Sequence, residues 1–332
     1  MAYAAARQIA AEAIPVIDIG ALRGGAPGAV RQVADEILKA SAELGFFYVR
    51  NHGLPEAARD RAVEAARAFF AQPMAVKQQV AVNRRHRGFL ALGGAKMYSG
   101  ARSDLKESFN FGLELPDSDP DAIAHPNLMG PNQWPQGYAE MRPAAYGYYE
   151  AAMACGHDLM RAFAVGMDLP EDFFRQRFRK PLARGSILYY PPQPPDLGDE
   201  QFGVAPHTDY GCLTLLWQDS NGGLEVKGRS GEWLTAHPIP DTLVINVGDL
   251  LARWSNDRFA STPHRVVNRS GRERYSMAVF FDPDYDAVID PRDANPPPGA
   301  TMRHEPVTAG AHIEARFDAA FKYRQQQQQQ QG

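Results

Sequence analysis

Cysteine is nearly absent from this chain: there are two in 332 residues, Cys155 and Cys212. So few thiols exclude a disulfide framework and fit a reducing compartment. Cys155 falls in a helical apolar stripe and Cys212 in a strand-like run, so both are expected to pack in a core rather than act as nucleophiles. Long apolar runs are missing as well, and none approaches the roughly 20 residues of a membrane span. Met1 to Ala13 is rich in alanine but has no charged start leading into an apolar core. No secretory signal is therefore expected, and the cytoplasm is the expected location. Charge of either sign is not in excess. A net charge of −4, from 35 basic and 39 acidic residues, makes no electrostatic case for nucleic acid or an anionic membrane, which leaves a small molecule as the expected partner. The one basic cluster, Arg84-Arg85-His86-Arg87, has no aromatic stacking platform beside it and reads as a solvated loop; the alternative for Arg87-Gly88-Phe89 is the border of a substrate entrance. No glycine-rich phosphate loop joins an early strand to a helix, which removes a nucleotide-binding fold. Oligomeric state leaves no mark on the sequence.

What is present is periodicity that changes along the chain. After a short strand around Val16 to Ile19, Val30, Val33, Ile37 and Leu44 recur at helical spacing, and Gly45 ends that helix before the β-rich Phe46-Phe47-Tyr48-Val49. Pro55 to Phe70 predicts a second helix. From Arg87 to Pro131 glycine, proline and polar residues dominate, so this stretch reads as loop-rich and substrate-facing. Tyr149, Met153, Met160, Phe163 and Met167 mark a long helix with Pro143 near its start. Beyond Leu182 short β-rich runs take over, at Ser186 to Tyr190, Leu213 to Trp217, Leu224 to Val226, Leu243 to Val247, Arg265 to Val267 and Tyr275 to Phe281. Many short strands separated by turns fit a jelly roll, a double sheet that can hold a ligand at its open end. The fold class expected is mixed α/β with a mainly β core, a double-stranded β-helix flanked by helices. The expected organisation is an N-terminal region over 1–115, a linking helical region over 116–180, the jelly-roll core over 181–290, and a C-terminal segment over 291–332. The run Gln325 to Gln331 is expected to be a disordered tail.

The chemistry-bearing pattern is His207-Thr208-Asp209 together with His264. Two neutral imidazoles and a carboxylate suit a first-row metal, and three ligands on one face leave positions open for dioxygen and substrate. In a strand, His207 and Asp209 would lie on one side. Taken singly, each of these residues is more often structural; the motifs around them decide. These are Leu243-Val244-Ile245-Asn246-Val247-Gly248-Asp249, Ser261-Thr262-Pro263-His264-Arg265-Val266 and Arg274-Tyr275-Ser276. At the N-terminus stand Ile14-Pro15-Val16-Ile17-Asp18 and Gly45-Phe46-Phe47-Tyr48-Val49, followed by Asn51-His52-Gly53.

With these motifs the chain resembles the isopenicillin N synthase-like family of Fe(II)/2-oxoglutarate-dependent dioxygenases. The resemblance implies iron(II) held by His207, Asp209 and His264, with 2-oxoglutarate and O2 as co-substrates. It also implies that Arg274 and Ser276 take the distal carboxylate of 2-oxoglutarate, helped by the Tyr190 hydroxyl. A guanidinium suits that task, because it offers two parallel hydrogen bonds in one plane. Leu188 stands where plant members often carry Asn, and Met277-Ala278 departs from a proline that often follows R-x-S. Asn246 and Asp249 are expected to support the site through their side chains. Phe89, Met97, Tyr98, Phe109, Phe111, Phe202 and Phe281 are candidates to surround a substrate, with Glu107 or Arg102 for a polar substituent. The competing readings are an iron oxidase that uses no 2-oxoglutarate, a zinc hydrolase on the same three ligands, and a jelly roll that binds without turnover.

Overall fold

The computed structural model describes residues 14–24, 28–94, 104–193, 201–321 and 324. The chain opens with β1 (Val16–Asp18), α1 (Ala29–Glu43), β2 (Phe46–Arg50), α2 (Glu56–Phe70) and the short α3 (Met74–Lys77). Helix α1 buries Val33, Ala34, Ile37 and Leu38, the i, i+4 stripe that the periodicity predicts. Gly45 turns the chain into β2 at φ 72°, and a Cβ there would lie 1.9 Å from the Ala260 carbonyl oxygen, so only glycine fits.

The stretch read as loop-rich is more regular than that. It holds β3 (Gly88–Leu90), the fully buried β4 (Glu107–Gly112) and α4 (Pro120–Ala124). Glu-Ser-Phe-Asn-Phe-Gly alternates polar and aromatic residues, and Ser108 and Asn110 are buried because they face a cavity rather than solvent. The basic cluster also departs from a solvated loop: His86 and Arg87 are buried, and Arg87 donates to the Leu128 carbonyl at 3.1 Å.

Helix α5 (Met141–Gly166) runs 26 residues, with Pro143 in its first turn, where a backbone N–H would have no intrahelical acceptor and its absence costs nothing. Then follow β5 (Arg184–Tyr190), β6 (Val204–His207), β7 (Leu213–Gln218), β8 (Leu224–Lys227), β9 (Trp233–Thr235), β10 (Leu243–Val247), α6 (Asp249–Trp254), β11 (His264–Val266), β12 (Arg274–Phe281), β13 (Val288–Ile289), β14 (Val307–Thr308) and α7 (Ala309–Ala320).

Eight strands form the larger sheet, in the order β1-β2-β10-β7-β12-β5-β4-β3, and four form the smaller, β6-β11-β8-β9. The N-terminal strands thus close both edges of the sheet that the later strands build. Alternation divides each strand between two cores. On one face Phe47, Phe109, Ile187, Leu215, Ile245, Met277 and Val279 join the apolar sides of α1, α2 and α5. On the other, Phe46, Tyr48, Leu188, Tyr190, Val244 and Ala278 meet Val204, Leu224, Val226 and Val266 of the smaller sheet. The second interior is the one that opens into a site. Among the described residues, no helix is long and apolar enough to cross a membrane.

Candidate metal centre and substrate cavity

His207 closes β6 and His264 opens β11, and the two face each other as a cross-strand pair. Their rings lie 4.3 Å apart. Asp209 is not in a strand with His207, as the H-x-D spacing suggested, but in the turn that follows β6. Two donors swing its carboxylate inward: Thr214 Oγ1 at 2.5 Å and Asn246 Nδ2 at 2.7 Å both bond to Oδ2. The other oxygen, Oδ1, is left 3.6 Å from Nε2 of each histidine. One ligand atom from each residue lies within 4.8 Å of the other two.

Tautomers follow from the hydrogen bonds. His207 Nδ1 sits 2.9 Å from the Ala205 carbonyl, and His264 Nδ1 sits 3.1 Å from that of Thr262. A carbonyl only accepts, so Nδ1 carries the proton in both rings and the Nε2 lone pair points at the gap. Burial, and then the neighbouring His207, push His264 down to about 4, which keeps it neutral near pH 7. Burial raises the Asp209 carboxyl, but the two histidines and the Thr214 hydroxyl outweigh it and hold the group well below the usual carboxylate range. Two imidazoles and one carboxylate, converging and held from behind, fit an iron(II) ion.

The turn around Asp209 is itself docked on a helix end. N–H groups of Gly248, Asp249 and Leu250, at the start of α6, donate to the carbonyls of Cys212, Asp209 and Gly211 at 2.8–2.9 Å. Those are the donors a helix start leaves without intrahelical partners, so the ligand turn caps α6. The Asp249 side chain ties further pieces together. It accepts from Thr208 at 3.3 Å, from Ser261 at 2.7 Å and from Arg316 of α7 at 3.0 Å.

Two connected cavities meet at this cluster, sharing His207, Asp209, Lys106, Leu188 and Phe280. One contains Arg274, Ser276 and Tyr190 as well as His264. Arg274 is fully buried over the Tyr190 ring, donates to Ser276 Oγ at 3.0 Å, and is oriented by Gln218 Oε1 at 3.2 Å and the Gly222 carbonyl. Leu188 gives this wall an apolar side chain. The second cavity runs toward Arg184, Asn110, Ser186, His86 and, from α7, Phe317.

The aromatic candidates fall elsewhere. Phe89, Phe109, Phe111 and Phe281 pack in the helical-side core, and Phe202 lies in a small separate cluster. Glu107 faces away from the cavity and pairs with the buried Lys77 at 2.7 Å. Met97, Tyr98, Arg102 and the glutamine run lie outside the described residues. Sequence reasoning misses Arg184, Asn110, Ser186, His86 and Phe317. The period-2 phase of β5 would have put Arg184 and Ser186 on the face of Leu188 and Tyr190, whereas nothing local brings α7 over the cavity.

Fold and site together define a jelly-roll protein with a candidate mononuclear non-haem metal centre beside a cavity lined by a buried arginine. Two family models match it: residues 14–137 fit the N-terminal region of the non-haem dioxygenases in morphine synthesis, and residues 170–283 fit the 2OG-Fe(II) oxygenase superfamily. The 2-oxoglutarate-Fe(II) type oxidoreductase hxnY of Emericella nidulans is 35% identical over 84% of this chain and 82% of its own length. Homoarginine-6-hydroxylase 2-ODD-233 of Oryza sativa is 32% identical over 91% of this chain and 95% of its own. Among solved structures, a full-length Neurospora crassa protein in complex with α-ketoglutarate and thymine superposes with a TM-score of 0.82 at 29% identity, covering 92% of this chain and 96% of its own. The chain belongs to the 2OG-Fe(II) oxygenase superfamily. It is a 2-oxoglutarate-dependent oxidoreductase whose cofactor is iron(II) and whose co-substrates are 2-oxoglutarate and O2. That favours the co-substrate-using enzyme over the iron oxidase, the zinc hydrolase and the non-catalytic jelly roll.

Proposed function

We propose that this oxygenase hydroxylates a C–H bond of a small molecule in the cytoplasm, with His207, Asp209 and His264 as the iron ligands and Arg274, Ser276 and Tyr190 holding the distal carboxylate of 2-oxoglutarate. One substrate hydrogen is replaced by hydroxyl, while 2-oxoglutarate and O2 become succinate and CO2. The carrying observation is a chamber in which the three ligand atoms face a basic, closed end at Arg274 and an aromatic-walled end beneath α7. Iron would supply dioxygen activation. The residues do the rest: Arg274 and Ser276 fix one end of the co-substrate by paired donors, Thr214 and Asn246 keep the Asp209 carboxylate aimed, and Leu188, Phe280 and Ala278 keep the walls apolar, which excludes water. The thymine in complex with the Neurospora protein and the two buried free thiols, Cys155 and Cys212, support the small-molecule and cytoplasmic parts of this reading.

Anaerobic titration of metal-free protein with iron(II) and 2-oxoglutarate tests it. A weak visible metal-to-ligand charge-transfer band is expected, absent in Asp209→Ala and Arg274→Ala. Bands of equal strength in those variants would overturn the residue assignments.

A further inference from the structure

Arg184 is 7% exposed and lines the second cavity, yet among the described residues its side chain makes a single hydrogen bond, from Nη2 to Asp282 Oδ2 at 3.5 Å. Its Nε is buried with no partner among them. A guanidinium has five N–H donors, and a buried one with most of them idle is costly unless something else accepts from it. Its surroundings restrict what that something is. The guanidinium carbon lies 4.6 Å from the Phe280 ring and 4.6 Å from the Phe317 ring, so aromatic faces occupy the space beside it. Asp282 takes one end; it is fully buried and also accepts from the Cys212 N–H at 3.2 Å. With two rings beside it, the guanidinium has in-plane Nη donors left to give, which suits a planar oxygen acceptor.

Register relates Arg184 to the metal turn. Arg184 of β5 pairs with Phe280 of β12, Phe280 with Thr214 of β7, and Thr214 with Asn246 of β10, all in one row of one sheet face. Thr214 and Asn246 are the residues that hold Asp209. Arg184 is thus two strand spacings from Thr214, roughly 10 Å between backbones, with Phe280 on the strand between them. A second polar edge lies beside it, where Ser186 Oγ donates to Asn110 Oδ1 at 2.8 Å and Asn110 Nδ2 donates to Ser108 Oγ at 3.2 Å. The hydroxyls keep lone pairs for a substrate donor.

We infer that Arg184 is the substrate anchor, and that the substrate carries a planar oxygen acceptor, a carboxylate or a ring carbonyl, at the edge remote from the oxidised carbon. This deepens the proposed function and rests on its placement of the iron. Binding is measured by calorimetry without oxygen, on protein loaded with iron(II) and 2-oxoglutarate, using one-ring carboxylates (benzoate first) and one-ring cyclic imides (uracil first). At least one class binds the wild type, and Arg184→Met raises its Kd tenfold or more. The double variant Arg184→Met/Asp282→Asn, which leaves no buried carboxylate without its partner, does the same. Arg184→Lys restores part of the affinity for a carboxylate and little for an imide, which separates the two sources. The anchor is overturned if no member of either class binds the wild type, or if binding survives both variants unchanged. The visible band is recorded in the same samples. Its loss in the wild type would sink the co-substrate assignment, whereas an intact band with unchanged probe affinity sinks only Arg184.

Discussion

At the scale of single residues, the site depends on groups that never touch the metal. Asn246 and Thr214 both bond to Asp209 Oδ2, so Asn246→Ala or Thr214→Val is expected to weaken iron(II) affinity by about 10-fold to 100-fold, as removal of such supporting partners does elsewhere. Competition with a coloured chelator would read this, and unchanged affinity in both variants would leave the two bonds without function. Asp282 gives a pH prediction. Burial pushes its carboxyl up to about 6 against an ordinary 3.8, and Arg184 only partly offsets this. The folded state therefore binds the proton more tightly than the unfolded chain, so stability falls as pH rises from about 4 to about 6 and is level beyond. The loss is at most about 3 kcal/mol. Asp282→Asn should flatten that segment of a denaturation-against-pH profile. A wild-type profile that rises through the same window would contradict the assignment.

Among elements, α7 is the one whose role the sequence conceals most. It places Phe317 in the cavity wall, reaches Asp249 through Arg316, and is tied down just beyond its end by Arg324, which donates to the carbonyls of Arg84 and Asn127 at 2.6 and 3.1 Å. Phe317→Ala is expected to raise KM for the organic substrate several-fold while leaving KM for 2-oxoglutarate within twofold, and steady-state kinetics with each varied in turn would show it. Equal changes in both would instead mean that α7 acts on the metal turn. The contrast with β7, β10 and β12 explains what is legible in the sequence. Those strands carry a period-2 apolar pattern between turn residues, so their limits and their inward faces can be read locally. H-x-D, the distant histidine and R-x-S can be read as well, because the chemistry constrains residue type and order. β4 escapes because its inward positions are Ser108 and Asn110, polar residues that mimic a loop when they in fact face a cavity. Arg184 escapes because its meaning lies in the strand opposite it, and Asp209 leaves the strand pattern because side chains distant in sequence hold it.

Taken as a whole, the molecule is not divisible where its composition changes. β1 and β2 close one edge of the large sheet through β10, and β3 and β4 close the other through β5. Residues 170–283 expressed alone would leave both edges and the faces of Ile187, Leu215 and Met277 uncovered, so this segment is expected to show no cooperative thermal transition by circular dichroism. A sharp transition would mean that the flanking strands are decoration. The same layout has a consequence for descent. The proposed iron ligands hang on β6, its following turn and β11, whereas much of the wall of the second cavity comes from β4, β5 and α7, elements that lend no atom to the metal. Inheritance can then revise what the enzyme recognises through a handful of changes in those three elements, while the oxygen chemistry passes unaltered from ancestor to descendant.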